Sequence, residues 1–203
     1  MFFDSQKNKK IVVLLGHPNS GQTYCGELAL LYETAAKKAG HEVRRFNLGD
    51  IQFDPILHKG YMTRQELEPQ LKELQDAISW CDHFVVIYPT WWCSLPALLK
   101  GMFDRMWLPG FAFNFYKTGI GAHLDLHKKL LVGKTARVIT LSAGQPTLLK
   151  LFNTNHTRII RKAILEFAGM KTSVSTFGPS LKAPEWKRNE WRRRVVRLGT
   201  HAL

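Results

Sequence analysis

The chain has 203 residues, enough for a sizeable core, and we expect a single domain over residues 1–203. Lys and Arg number 29 against 16 Asp and Glu, and the net charge of +13 favours anionic partners such as dinucleotides, nucleic acids or anionic membranes. No apolar stretch is long enough to span a bilayer, and residues 1–10 lack the apolar region of a secretory signal. Cys25, Cys81 and Cys93 include no CxxC pair, which is typical of reduced thiols in the cytoplasm.

Strand and helix patterns alternate along the whole chain, which predicts an α/β fold with a parallel sheet. No GxGxxG follows the first strand, so a dinucleotide-binding Rossmann sheet is disfavoured. Five strands with a buried first and third suit a doubly wound sheet of order 2-1-3-4-5 with helices on both faces. The strands are expected near residues 10–16, 41–48, 84–88, 135–142 and 171–177, and the helices near 24–39, 63–80, 96–105, 157–168 and 184–199.

Prolines and capping signals set several expected boundaries. Pro89 is expected to stop the third strand, because proline gives no N–H to a ladder, and Pro96 suits the first turn of the next helix. Thr63 and Glu66 have the spacing of a capping box, and Pro69 then indicates a break or a late start of the helix. The polar excursion over residues 114–134 is a candidate lid.

The final helix, about residues 184–199, is strongly basic. A solvated helix face is the preferred interpretation of these charges. The alternative is that the helix binds an anionic partner, either a nucleic acid or a membrane surface, and such binding would depend on salt concentration.

The stretch from residue 84 to residue 105 carries the most specific signal. Its apolar strand and its helix are separated by a short loop with two adjacent tryptophans, Trp91 and Trp92. Ligands of open α/β sheets lie at the carboxyl ends of strands. Indole faces beside exposed backbone amides suit a planar heteroaromatic ring such as a flavin. The alternative is an ordinary buried strand and helix with a bulky loop between them.

This stretch resembles a known family. It has the pattern Tyr-Pro-Thr-Trp-Trp-x-x-x-Pro-Ala-x-Leu-Lys-Gly-x-x-Asp-Arg over residues 88–105, followed by Pro-Gly-Phe-Ala-Phe over residues 109–113. The pattern closely resembles the core motif of the flavodoxin-like NAD(P)H:quinone oxidoreductases, and the resemblance runs from about residue 11 to about residue 179. It implies a flavodoxin-like sheet, a bound flavin (FMN slightly favoured over FAD), NAD(P)H as co-substrate and homodimers.

Three loops supply the predicted flavin site. The first strand leads through a polar loop into a helix, where backbone amides and hydroxyls form an anion site; this loop resembles the phosphate loop of the family. The central loop would line the ring, and the loop after the fourth strand aligns with the family loop at the pyrimidine edge. The predicted cofactor-binding residues are His17, Ser20, Thr23, Tyr24, Cys25, Pro89, Thr90, Trp91, Trp92, Cys93, Ser142, Ala143, Gly144 and Gln145, and Trp91, Trp92 and Phe113 are expected to wall the substrate pocket.

His156 is the predicted catalytic residue, since it lies twelve residues beyond Gly144, where similar quinone reductases carry an active-site histidine. It would stabilise negative charge on the reduced ring or on a quinone oxygen. Lys150 lies where some relatives have a tyrosine, and its cation is the candidate to replace the stabilising role of that tyrosine; the alternative is that the site differs here. The alternative for His156 is that it only caps the following helix.

Other candidate residues are weaker. His123 and His127 have a helical metal-ligand spacing, but no carboxylate pattern completes a site, and no metal is expected. Cys93 lies in the flavin loop without a visible base, which favours packing over nucleophilic chemistry.

The sequence therefore predicts a cytoplasmic NAD(P)H dehydrogenase (quinone), a flavoenzyme that reduces quinones or similar acceptors in a ping-pong cycle. A stable nucleic-acid or membrane partner is not expected. Two alternatives stay open: an electron carrier like flavodoxin, which the basic charge and the tryptophan pair disfavour, and a flavin-containing regulatory or accessory protein. That accessory protein would serve an ion-efflux system or associate with nucleic acid.

Overall fold

The computed structural model describes residues 8–124, 126–145 and 157–203, apart from the side chains of residues 121 and 122. A five-stranded sheet with the strand order β2-β1-β3-β6-β7 forms its centre, and every neighbouring pair in it is parallel. A separate two-stranded antiparallel hairpin pairs β4 with β5. Without the hairpin, the order is the predicted 2-1-3-4-5, which confirms the expected fold class.

The elements follow one another in the expected alternation. The strands are β1 Lys10–Leu15, β2 Glu42–Asn47, β3 His83–Thr90, β4 Phe113–Phe115, β5 His127–Lys129, β6 Thr135–Ser142 and β7 Lys171–Phe177. The helices are α1 Tyr24–Lys38, α2 Pro69–Trp80, α3 Ala97–Met106, α4 Gly119–His123, a π-helix Ile159–Leu165 that continues as α5 Glu166–Ala168, and α6 Glu185–Thr200; a 3₁₀ turn spans Leu48–Asp50.

The sheet separates two apolar cores, and alternate residues of each central strand point into one or the other. On one face, α1 and α6 cover residues such as Val13 and Ile87. On the other face, α2, α3 and the π-helix cover residues such as Val12 and Val86. No helix within the described ranges is both long and apolar enough to cross a membrane.

Three local expectations were wrong. Pro89 does not stop the third strand: β3 runs to Thr90, and Pro89 pairs with Leu141 of β6. Pairing with β1 ends at Ile87, so the strand has only one neighbour at Pro89 and tolerates the missing N–H. The capping box at Thr63 does not form, because the helix begins at Pro69, whose fixed φ suits its first position; the late start that Pro69 indicated is confirmed.

The third correction concerns the helix after the fourth strand. Residues Ile159–Leu165 form a π-helix rather than an α-helix. Its amphipathic character is as expected, since Ile160, Ile164 and Leu165 are buried, and Gly169 ends the segment with a φ of 108°. The longer i→i+5 hydrogen-bond pattern has no marker in the sequence, and π-helical turns are frequent at functional sites.

Candidate functional site

The three predicted loops meet at one edge of the sheet. Strands β1, β3 and β6 are adjacent and parallel, with Leu15 opposite Ile87 and Thr90 opposite Ser142. The first loop and the central loop touch directly, since the His17 and Trp91 rings meet edge to face with their centroids 5.5 Å apart. The predicted convergence of the loops is therefore observed.

The first loop is held by its own short side chains. The Asn19 N–H donates to His17 Nδ1 at 2.9 Å, and the Gly21 N–H donates to Asn19 Oδ1 at 2.8 Å. Because Nδ1 accepts, a neutral His17 ring carries its proton on Nε2. Burial lowers the pKa of His17, so the ring is neutral at pH 7 and offers one N–H.

The start of α1 leaves backbone donors unpaired. Thr23 caps the helix, and its Oγ1 accepts from the Gly26 N–H at 3.0 Å. Within the described part of the chain, the amides of Ser20, Gln22, Thr23, Tyr24 and Cys25 have no hydrogen-bond partner. Several amides at a helix N-terminus form an anion site.

Two predicted residues can serve that site only through their amides. The Cys25 side chain is buried in the core, and burial raises the pKa of its thiol to about 12, so it stays protonated. The Tyr24 hydroxyl donates to the Arg188 carbonyl oxygen at 3.4 Å, which directs this side chain to α6.

The sequence missed the support that the 3₁₀ turn gives to this loop. The Asp50 carboxylate lies beside the Ser20 side chain and accepts from Asn47 Nδ2 at 3.1 Å, and these two neighbours hold the pKa of Asp50 below its usual value. A Cβ at Gly49 would lie 2.2 Å from the Pro18 carbonyl oxygen, so only glycine fits there. An Asp some thirty residues after a polar loop is not a recognisable sequence signal.

The tryptophan loop is a tight turn. Trp91 and Ser94 exchange both backbone hydrogen bonds, at 3.1 and 2.9 Å. Trp92 and Cys93 both have positive φ, 48° and 56°, which is the sign pattern of a type I′ turn. Their two amides have no partner in the described ranges, and the Trp92 side chain is fully exposed. Two unpaired donors therefore lie beside exposed indoles.

The loop after the fourth strand is short and polar. The Gly144 N–H donates to Ser142 Oγ at 3.2 Å, and Ser142 is buried beneath the exposed Ala143, Gly144 and Gln145. The Ser142 carbonyl accepts from the Ser180 N–H at 2.8 Å, so the segment after β7 packs here too. The Thr90 and Thr140 hydroxyls bond at 2.6 Å and tie this side of the crevice together.

Phe113 lies in a different place from the tryptophans. It packs edge to face against Phe167 with centroids 5.1 Å apart, and His127 stacks on Phe167 at 3.7 Å. These contacts make His127 a packing residue. Phe113 lines a cavity of about 1150 Å³ between the loop before α2, α3, the hairpin and the π-helix, whose lining does not include Trp91 or Trp92. The aromatic lining residues are Tyr61, Phe103, Trp107, Phe111, Phe113, Phe115 and Phe167.

Two predicted catalytic residues, Lys150 and His156, lie outside the described residues and stay predictions. In the described ranges, no group of three or more His, Cys, Asp or Glu side chains is placed to hold a metal ion.

Comparisons with known proteins identify relatives of the chain. An "Uncharacterized NAD(P)H oxidoreductase" of Haemophilus influenzae is 31% identical over 120 residues, a match that spans only 58% of either chain. An FMN-dependent NADH:quinone oxidoreductase of Macrococcus caseolyticus is 27% identical over 144 residues, 61% of this chain and 67% of the relative. The solved structure of an NAD(P)H:quinone oxidoreductase from Methanothermobacter marburgensis has a TM-score of 0.77 at 21% identity, covering 96% of both chains.

The structural likeness at this low identity shows the fold alone. The family model described as a flavodoxin-like fold matches residues 9–195, nearly the whole chain. The chain belongs to this flavodoxin-like family.

Proposed function

We propose that the protein is a flavin-dependent NAD(P)H oxidoreductase that reduces quinones or similar acceptors. The observation that carries this proposal is the contact of His17 with Trp91, which brings unpaired amides of two loops and exposed indoles to one sheet edge. An anion site beside a planar apolar surface suits a flavin mononucleotide. The names of the Haemophilus and Macrococcus relatives support the same activity, and the latter supports FMN.

Different residues would bind the phosphate and the ring of the flavin. The amides at the start of α1, with the His17 Nε2–H and the Thr23 hydroxyl, would hold the phosphate. The amides of Trp92 and Cys93 would donate to acceptors on the ring edge, and Gly144 lets the backbone approach its other side. When bound, the flavin accepts a hydride from NAD(P)H and delivers two electrons to the acceptor.

The protein itself supplies position and charge. Trp91 and Trp92 would hold the ring and the acceptor flat against one another. His156 and Lys150 would stabilise negative charge as the acceptor takes up electrons. In stopped-flow kinetics, His156→Ala should slow flavin reduction by NAD(P)H or flavin reoxidation by the quinone, without loss of bound flavin. If the variant performs both half-reactions at wild-type rates, His156 only caps the following helix.

We also propose that the protein works as a homodimer. The cavity and the hairpin beside it expose large apolar side chains, including Met62, Phe115 and Ile120 at 93%, 61% and 77% exposure. An apolar surface of this kind marks an interface. A second copy would cover it, and light scattering that finds only monomers at working concentration would refute this.

The free thiols support a reducing compartment, the cytoplasm. Cys25, Cys81 and Cys93 are unpaired, and the first two are buried. Chemical labelling in cells would detect an oxidised pool if the compartment were different.

The central test pairs two exposed tryptophans. Trp92→Ala should weaken FMN or quinone binding about five- to tenfold, on the order of 1 kcal/mol of stacking. Trp186→Ala, at a residue 67% exposed on α6, is the matched control and should leave both affinities unchanged. Fluorescence titration with FMN and steady-state KM for a quinone give the readout. Folded wild-type protein that takes up neither FMN nor FAD would refute the proposal.

A further inference from the structure

Helix α6 carries a surface that the proposed reaction does not use. Its buried side consists of Trp191, Val195, Leu198 and Gly199, which pack on α1 and the sheet. Residues 180–200 include seven Lys and Arg but only two Glu. Trp186 is 67% exposed, and Leu181 in the preceding turn is 77% exposed.

The exposed residues of α6 are ordered along one stripe. Trp186, Arg193 and Arg197 are spaced i, i+7 and i+11, which places them within about 40° of one another around the axis and roughly opposite the buried side. The stripe is about 16 Å long from Trp186 to Arg197 at the helical rise of each residue. Glu190 is the one acidic residue on it.

Several cations of this surface make no polar contact within the described structure. Within the described ranges, the side chains of Lys182, Arg193 and Arg197 have no hydrogen-bond or ion-pair partner. Arg192, in contrast, contacts both Glu27 and Glu185 and is occupied. Three unpaired cations with a neighbouring tryptophan and leucine therefore face solvent together.

We propose that this surface, made of Leu181, Lys182, Trp186, Arg193 and Arg197, binds an anionic lipid bilayer at its interface. Lys and Arg near an anionic leaflet are attracted to its headgroups, and tryptophan is favoured at headgroup level because its ring is amphipathic. The binding is peripheral, with the helix lying on the bilayer. Phosphates of a nucleic acid would use the cations, but they would give the exposed Leu181 no apolar environment.

This inference departs from the sequence-based expectation of no membrane partner, and it does not depend on the redox activity. The sequence showed the charge of the helix but not that Trp186 shares the outward stripe with two unpaired arginines. An apolar acceptor dissolved in the bilayer would be nearby, yet the test needs no turnover.

The test is co-sedimentation of the full chain with vesicles of phosphatidylcholine alone or with about 30% phosphatidylserine. We expect binding only to the anionic vesicles, with release at high salt. The triple variant Lys182→Gln, Arg193→Gln, Arg197→Gln should lower the partition coefficient about 100-fold, since each cation near the surface contributes about fivefold. Trp186→Ala should lower it about threefold or more, and this loss should persist when salt is raised.

A matched triple variant controls for total charge. Lys59, Lys117 and Lys128 are also exposed, but they lie in the loop and hairpin on the α2–α3 side, where the proposed dimer would form. Their replacement by Gln removes the same charge and should cost less than fivefold in partition. Equal losses in both triple variants would overturn the proposal, as would failure of the wild-type chain to bind anionic vesicles. Tighter binding to a single-stranded oligonucleotide through the same three cations would also overturn it.

Discussion

The two faces of the sheet are covered differently, one by closely packed helices and the other with a cavity left open. On the α1–α6 side, the helices approach so closely that a Cβ at Gly199 would lie 2.5 Å from the Tyr32 carbonyl oxygen. On the α2–α3 side, the chain leaves a cavity of about 1150 Å³ rimmed by exposed apolar residues. The first side is completed by the chain itself, whereas the second presents an apolar surface that the proposed dimer would cover.

The two sides also use arginine differently. Arg105 of α3 is 1% exposed and holds the loop before α2: it donates to both carboxylate oxygens of Glu68 at 3.1 Å, to the Glu66 carbonyl at 2.7 Å, and to the Asp54 carbonyl. Arg192 of α6 contacts Glu27 and Glu185 at the surface, with its side chain 26% exposed. A buried arginine thus fixes the wall of the open side, whereas the ion pairs of Arg192 on the closed side lie at the surface.

Exchange of each arginine for methionine should give the largest contrast. Arg105→Met leaves Glu68 and two carbonyls without their donor and should cost about 3–5 kcal/mol. A chain of this length should then melt roughly 10 °C lower or more. Arg192→Met should cost about 1 kcal/mol or less, because exposed ion pairs contribute little. Thermal unfolding followed by circular dichroism measures both, and equal losses would contradict the distinction between the two sides.

The elements that the sequence predicted correctly carry local signals. Apolar runs, an alternating pattern over residues 41–48 and β-branched residues over 171–177 indicated the central strands, and glycine or proline bounded most helices, with Gly169 and Pro184 at the expected positions. The order of the strands could be predicted because five alternating strand–helix units can form only a few sheet topologies. The three loops of the site could be predicted for the same reason: strand ends of adjacent parallel strands share one edge.

The features that could not be predicted from the sequence depend on contacts between residues that are far apart along the chain. Arg105 meets Glu68 across 37 positions, and Gly49 approaches the Pro18 carbonyl oxygen so closely that a Cβ would lie 2.2 Å from it. Phe113 was expected beside the tryptophans, yet its ring packs on Phe167 at the cavity on the α2–α3 side. Pattern and propensity describe neighbours along the chain, so they cannot place such pairs.

A buried histidine on the closed side should make stability depend on pH. His83 is 1% exposed, shares a hydrogen bond of 2.7 Å with Thr135, and stacks near Tyr32. Burial, with Lys9 and Arg137 nearby, lowers the pKa of His83 to about 3. The unfolded chain titrates this group near 6.5, so between pH 6.5 and 3 it binds more protons than the folded chain, and stability falls as the pH falls.

The variant His83→Gln removes this titration. The dependence of unfolding free energy on pH between 6 and 5 should become flatter by about 1.2 kcal/mol per pH unit, whatever the absolute stability of the variant. Urea denaturation at several pH values gives the slopes. Identical slopes for wild type and variant would show that His83 has the same pKa in the folded and the unfolded chain.

The smallest effect is expected where the two sides meet, in the turn Trp91–Ser94. Cys93 has a φ of 56°, a conformation that costs an L-residue about 1–2 kcal/mol and glycine almost nothing. Cys93→Gly should therefore raise stability by about 0.5–1 kcal/mol, after the greater entropy of glycine in the unfolded chain is subtracted. Ser94→Gly is the control, since Ser94 has no positive φ and should gain nothing. If the proposed site uses the amide of residue 93, the glycine variant keeps that amide and should bind FMN with wild-type affinity. A stabilised variant with weakened FMN binding would instead show that the Cys93 side chain itself contacts the ring.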